Sequence, residues 1–428
     1  MNNMVNHTKA MENNIMKYSK FFLISIFVVF FLNTCKKDDP VVPTYNDSSV
    51  YDVTLTDNTV LIDEFSVNSI VRIDTANYIY YFESTDPNIA DLQVDNILLI
   101  HGLALRRVTN ISQIGNETRV ETGYATLNEA IKDGEISWNK EISFKDGVIP
   151  TVDMNGEIIP FKSATADGYE FEFKYGEYSY RIKFVFSDVR ADVEFEITKD
   201  LVNPIKAKFL AKGSIEKFFS NTEMKFEDSK LTSFNQKNAN MKGDLILNLT
   251  VAGSGRDEIT FNFPVVLLQF PIIVGTIPVT INLKVLFVVN CVVPVDGSSQ
   301  VEARFSYNST TGIKYDGIDV SADASIGSQS QEKNIAQTGA STAIGANFGL
   351  AFPRLEIAIF GKSIVPWIQT AFLIGGDFTF TPPCQQARST FIGACGVDFS
   401  VLGFGYSANH TFWQEEKVLL QTAECPNN

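Results

Sequence analysis

GYEFEFKYGEYSYRIKFVFSDVRADVEFEIT, residues 168–198, alternates apolar and polar side chains through three successive runs. Phe171, Phe173 and Tyr175 alternate with Glu170, Glu172 and Lys174. Tyr178, Tyr180, Ile182, Phe184 and Phe186 continue the pattern, and Val193, Phe195 and Ile197 alternate with Glu194 and Glu196. In an extended chain successive side chains point to opposite faces, so period two gives each sheet one buried and one wet face. Leu245, Leu247, Leu249 and Val251 repeat it. Short turns between such runs suit antiparallel meanders. The expectation is a mainly β protein whose larger part, residues 168–428, is an antiparallel β-sandwich-like domain.

Residues 261–294, FNFPVVLLQFPIIVGTIPVTINLKVLFVVNCVVP, break the alternation and carry one charge, Lys284. Pro264, Pro271 and Pro278 exclude a continuous helix. The stretch reads as strands joined by a bend at Gly275-Thr276-Ile277-Pro278. The plain expectation is a central strand pair covered on both sides. A second is the wall of a lipid-sized cavity, with Phe270, Ile272, Val274, Val279 and Ile281 as apolar ligand contacts. A third is a membrane-inserting hairpin. Ser298–Phe348 is rich in small residues, which either let sheets approach closely or mark an exposed face. Leu350–Ile374 returns to apolar strands.

Toward the N-terminus, residues 50–146 read as a small β module with one short helix. Tyr78–Phe82 and Ile97–Ile100 are β-prone runs, Gly115-Asn116 is a turn signal, and Thr126–Glu129 is a capping box opening a helix expected to end near Gly134. Residues 146–168, with Gly147, Pro150, Gly156 and Pro160, read as a boundary. Asp95–Leu98, Leu105–Val108, Thr122 and Ala125–Ala130 resemble a module at the N-terminus of many uncharacterised secreted bacterial proteins. The resemblance implies architecture and no activity. Residues 170–425 are similar in layout to secreted proteins of unassigned function with a proline-punctuated apolar hairpin, and no catalytic residue carries over. Arg106 and Arg107 could bind an anion, but the simpler expectation is that one of them lies along the sheet face and pairs with a local acid.

Lys17 and Lys20 precede an apolar run, Phe21–Leu32, broken only by Ser25. It is shorter than the about 20 residues needed to span a bilayer and fits the hydrophobic region of a secretory signal. Residues 1–34 are therefore expected to be a signal peptide. Met16 directly before Lys17 makes a compact start, with residues 1–15 outside it. Leu32-Asn33-Thr34-Cys35 resembles the lipobox of bacterial lipoproteins, and Lys36, Lys37, Asp38 and Asp39 resemble the surface-export signal of Bacteroidota lipoproteins. The resemblance implies lipidation of Cys35, a linker over residues 35–49, and an outer-membrane protein facing the cell exterior. The membrane is then a partner through the lipid anchor alone.

The net charge is −15, and removing Lys9, Lys17, Lys20 and Glu12 with the leader leaves −17. Such a surface repels phosphate backbones, so nucleic acid is excluded as a partner. Of three histidines only His101 and His410 survive in the mature chain, which weakens any scheme that needs imidazole. Cys291, Cys384, Cys395 and Cys425 suggest two disulfides in an exported chain. Cys384 with Cys395 closes a short loop and is preferred, leaving Cys291 to Cys425. Their spacings do not match the paired cysteines of structural zinc sites. No nucleophile elbow, metalloprotease helix, P-loop or dinucleotide fingerprint is present. Asp316, Asp319 and Asp323 could offer oxygens to calcium, but read more simply as solvated acids. Trp138, Trp367 and Trp413 could stack on sugars, but large aromatics in β proteins are more often core.

The leading functional expectation is a non-enzymatic, lipid-anchored surface protein that binds a glycan, host protein or envelope protein, or serves a structural role. It has no cofactor. The alternatives are a carrier of a lipid-like ligand and a polysaccharide hydrolase acting through two carboxylates.

Overall fold

The computed structural model describes residues 47–144, 148–165, 168–200, 206–253, 257–260, 264–293, 297–322, 325–326, 330–332, 345–360, 362–380, 383–398 and 407–421. Residues 46–428 form one compact unit, and the chain is mainly β with antiparallel, curled, sandwich-like sheets. Among the described residues no helix is long and apolar enough to cross a membrane.

The alternation of residues 168–198 becomes a meander of strands Gly168–Tyr175, Tyr178–Phe186 and Arg190–Asp200. Tyr180, Ile182, Phe184, Phe195 and Ile197 lie buried on one face. This meander is one flank of a 13-stranded sheet. The sheet is organised by strand Lys230–Gly253, which is 24 residues long. Its two halves pair in turn with Phe218–Glu227 and Lys206–Glu216, while its other edge runs along Gly297–Tyr315.

A 9-stranded sheet faces it. The apolar stretch supplies the hairpin Val265–Val274 and Ile277–Val293, turned at Gly275 with φ +60°. That hairpin sits inside the sheet, flanked by Thr151–Met154 and Gly345–Ile359. The expectation of cover on both sides fails for Val265–Val274, which is buried on one face, but over residues 277–285 of the second strand no residue is exposed and Ile281, Asn282 and Leu283 are all buried. Val266, Leu268, Phe270 and Val274 are buried, while Val265, Gln269, Pro271 and Ile273 are exposed.

The third sheet has six strands built from residues 59–124. Gly115, at φ +62°, turns Ala104–Ile114 into Glu117–Tyr124. Ile97–Ile100 is buried on both faces. Ile97 and Leu99 join one core while Leu98 and Ile100 join another. The capping box forms, with the Glu129 carboxylate accepting from the Thr126 N–H at 2.8 Å. The helix is a single turn, Leu127–Ala130. It does not reach Gly134, because strand Ile131–Ile142 begins at once.

Two segments depart from the sequence reading. Ser48–Leu55 and Ile131–Ile142 pair with each other and then with Phe218–Glu227, so both ends of the N-terminal segment belong to the 13-stranded sheet. Residues 146–168 are more than a boundary, because Thr151–Met154 and Glu157–Ile159 form an edge hairpin of the 9-stranded sheet. Val152 and Met154 are fully buried there. Burial of these apolar side chains, at about 1.5–3 kcal/mol each, outweighs the turn-forming tendency of the surrounding glycines and prolines.

The core between the large sheets is in two parts. One gathers Phe184, Phe195, Phe209 and Leu247 against Leu268, Phe270, Leu283 and Leu355. The other gathers Met224, Phe234 and Ile313 against Val274, Val279 and Ile357, together with Leu99 and Leu127 of the small module.

Candidate functional site

The two parts of the core are separated by a polar seam on the inner face of the 13-stranded sheet. Period two carries the face assignment along each strand. On Phe218–Glu227 the inward positions run Phe218, Ser220, Thr222, Met224 and Phe226, all buried. On the long strand Phe234 is followed inward by Gln236 and Asn238, with Met241 beyond. On Gly297–Tyr315 the inward run is Phe305, Tyr307, Ser309, Thr311, Ile313 and Tyr315. Each strand therefore reads apolar, polar, polar, apolar.

The register aligns these interruptions. Thr222 stands opposite both Trp138 and Gln236, Ser220 opposite Asn238, and Asn238 opposite Thr311. The pairing slips between Asn238 and Met241, with Asn240 at φ +61°. This bulge sets Met241 opposite Ser309 and keeps both on the inner face. Bulges re-aim side chains in this way and are frequent beside functional sites.

Ser220, Gln236, Asn238 and Thr311 are at most 1% exposed; Thr222 and Ser309 are 3% exposed and Trp138 4%. The three hydroxyls of Ser220, Thr222 and Thr311 have no hydrogen-bonding partner among the described residues. Nor do the Ser309 hydroxyl, the Gln236 Oε1, both amide atoms of Asn238 and the Trp138 Nε1. An unpaired buried donor or acceptor costs about 1–3 kcal/mol, and the net stability of a domain is about 5–15 kcal/mol. Seven such residues side by side carry a penalty comparable to the whole net stability. The seam therefore presents hydrogen-bonding groups that ordered water or a ligand can satisfy.

Where the seam meets the edge of the sheet, an open cleft of about 490 Å³ lies beside Trp138. Asp47, Lys140, Pro271, Ile272 and Val274 line it as well. Asp47 forms an ion pair with Lys140 and accepts from the Glu141 N–H at 2.9 Å. Burial pushes the Asp47 carboxyl up, but the Glu141 N–H and the Lys140 ammonium outweigh it and hold it below its ordinary value. At the same edge the two large sheets are clasped. The Thr276 Oγ1 and Tyr51 hydroxyl are 2.9 Å apart, and Thr276 O accepts from Gly102 N–H at 2.9 Å. A Cβ on Gly275 would come within 2.1 Å of the Tyr51 ring, so only glycine lets the hairpin turn close on that ring.

The apolar ligand candidates divide. Phe270 and Ile281 belong to the first core, Val274 and Val279 to the second, and Ile272 packs against both. Four of the five are at most 7% exposed. Ile272 and Val274 also border the cleft. Lys284, the one charge of the apolar stretch, meets Glu356 at 2.5 Å, and Arg354 reaches the same carboxylate at 2.8 Å. Glu356 is 3% exposed, so this is a buried charge held by two cations.

The remaining candidates have structural roles. Arg107 pairs with Glu129, and the Arg106 guanidinium lies 4.4 Å over the Tyr78 ring. The Asp316 carboxylate accepts from the Ile318 and Asp319 N–H groups at 3.0 and 2.9 Å, closing a turn. Among the described residues no group of three His, Cys, Asp or Glu side chains could hold a metal ion.

Cys384 and Cys395 do not flank a turn. Both lie on one strand, Pro383–Asp398. At about 3.3 Å of rise per residue, eleven residues along a strand far exceed the about 7 Å between Cα atoms that a disulfide tolerates. The preferred Cys384–Cys395 staple is thereby corrected. The sequence showed ten residues between two cysteines, but not that they continue one strand. Cys291 lies on Ile277–Val293 opposite Ile259 and Ala346. Cys35, Lys36, Lys37, Asp38, Asp39, Asp323 and Cys425 lie outside the described residues.

The sequence reading missed Ser220, Thr222, Gln236, Asn238, Ser309 and Thr311. No family model matches the chain, and no curated protein or solved structure does.

Proposed function

We propose that the chain is a lipid-anchored, non-enzymatic binding protein of the outer membrane that faces the cell exterior. Cys35 carries the lipid in this reading, and Lys36, Lys37, Asp38 and Asp39 direct export. Eleven residues separate Cys35 from Asp47, at most about 40 Å of extended chain.

The observation that carries the binding reading is the chemistry of the seam. Its side chains are hydroxyls, amides and an indole, which hydrogen-bond without transferring protons at neutral pH. A hydrolase would need titratable groups converging on the substrate, and the seam is made of neutral ones.

Protease shaving of intact cells tests the location. Loss of the protein from intact cells is expected, and cleavage only after lysis would sink the outward-facing assignment. Acyl labelling tests the anchor, with the label expected to vanish in Cys35→Ala.

A second reading, a carrier of a lipid-like ligand, draws on Ile272 and Val274 at the cleft wall. It requires a lipid that co-purifies and is lost when exposed Ile273 at the cleft is changed to Asp. Lipid retained in that variant would count against it.

A further inference from the structure

We infer that the seam is the binding site of a small neutral polyhydroxylated molecule, a neutral sugar by its chemistry, which enters between the sheets through the cleft beside Trp138. The inference rests on the binding-protein reading and adds the class of ligand and its route.

Three features of the seam select this class. The first is complementarity. Hydroxyl and amide groups both donate and accept, and the unpaired set contains both kinds: the Asn238 Nδ2 and Trp138 Nε1 donate, the Gln236 and Asn238 side-chain oxygens accept, and the hydroxyls of Thr222 and Thr311 do either. A polyol offers the matching mixture on every edge. The second is charge. The seven unpaired side chains are all neutral, and the one cation in the row, Lys140 opposite Ser220, is already paired with Asp47, so an ionic ligand would lose its hydration without gaining a free counter-charge. The third is size. The polar row is two inward positions deep on three strands, and Trp138 extends it to a fourth. Strand rise and spacing make that about 7 Å by about 14 Å, a footprint for one or two sugar rings. The apolar cores on either side cap its depth and would disfavour longer polar molecules.

The route follows from the register. Trp138 is the outermost member of the seam, directly opposite Thr222, and it also borders the cleft. The seam side chains are nearly inaccessible, so entry requires the sheets to part at this edge. The contact that would open is the Tyr51–Thr276 clasp, which joins the edge strand Ser48–Leu55 to the turn of the apolar hairpin.

The test is calorimetric titration of the chain from Lys36 onward, which contains the whole compact unit. The probes are glucose, galactose, mannose, N-acetylglucosamine and maltose, with glucuronate as the charged control. Saturable binding of at least one neutral probe is expected, at least tenfold tighter than glucuronate. The Thr222→Val/Thr311→Val double variant keeps side-chain shape and removes two hydroxyls. It is expected to keep its melting temperature and to lose at least tenfold in affinity. Tyr51→Phe is expected to speed dissociation of the same probe. No saturable binding by any neutral probe, or unchanged affinity in the double variant, overturns the assignment. Native mass spectrometry separates the two levels of the argument. A retained non-sugar adduct would keep the binding reading and sink the sugar.

Discussion

The two faces of the 13-stranded sheet are both rich in polar side chains, and they treat them in opposite ways. On the outer face opposite charges meet across strands. Arg181 reaches Glu170 at 2.8 Å, Lys212 reaches Glu194 at 2.9 Å, and Lys208 reaches Glu196 at 2.9 Å. A shallow cleft of about 300 Å³ there is lined by both signs of charge, including Arg190, Asp192, Lys212 and Asp244. In the seam of the inner face the polar groups are neutral, buried and without a partner among the described residues, whereas Lys199, further along the same face, is paired with Glu177. Water reaches most of the outer groups whether or not they pair, so their abundance says little about function; the Asn221 and Asn235 side-chain oxygens are exceptions, buried without a partner among the described residues. Unpaired inner polarity opposes folding, so its repetition on three neighbouring strands calls for a use.

The largest effects should come from placing charge on either side of the seam. Val279→Asp puts a carboxylate where 1% of the residue is exposed. An uncompensated buried charge costs several kcal/mol, so the variant is expected to lose cooperative folding by circular dichroism and proteolysis. Val279 cannot therefore report on ligand binding directly. Glu356→Gln leaves Lys284 and Arg354 without their shared carboxylate, and a loss of about 3–5 kcal/mol is expected. Urea unfolding checks it, and a loss below about 1 kcal/mol would show that solvent reaches the pair. Phe184→Ala, 2% exposed in the first core, is expected to cost about 3–5 kcal/mol by the same measurement.

The seam itself should respond in the opposite sense. Replacing a buried hydroxyl by a methyl group of the same shape removes an unpaired polar group and can be neutral or stabilising. Thr222→Val and Thr311→Val are each expected to change stability by less than about 1 kcal/mol in urea. A loss above about 2 kcal/mol would mean that the hydroxyls hold the fold together through partners of their own, and the contrast between the faces would fail.

The outer face was legible in the sequence because Glu and Lys alternate with aromatics throughout residues 168–198. The turns at Gly115 and Gly275 and the capping box at Thr126 were legible for the same reason, that local chemistry decides them. The seam was not, because Ser220-Asn221-Thr222 is polar on both faces and gives period two nothing to follow. Carrying the phase inward from Phe218 and back from Met224 puts Ser220 and Thr222 inside. Tyr307 and Ile313 do the same for Ser309 and Thr311. The signal was the repetition of this interruption on three strands, visible only once their register is known. Cys384 and Cys395 misled for a related reason. Closeness in sequence suggests a loop, whereas residues 383–398 form one continuous strand.

The smallest effects belong to the outer face. The Arg181 guanidinium, hydrogen-bonded to Glu170, holds that carboxyl below its ordinary value. A carboxyl whose pKa is depressed in the folded state contributes stability above its unfolded pKa, near 4.3 for Glu, and loses it as pH falls through the folded value. Arg181→Ala should therefore lower the melting temperature slightly at neutral pH and flatten its decline in acid. Because the pair is exposed, with Arg181 at 47% and Glu170 at 23% of side-chain area, the difference should vanish in 1 M salt. A difference that persists in salt would mean the outer lattice is shielded from solvent, and its paired charges would then need the same functional explanation as the seam.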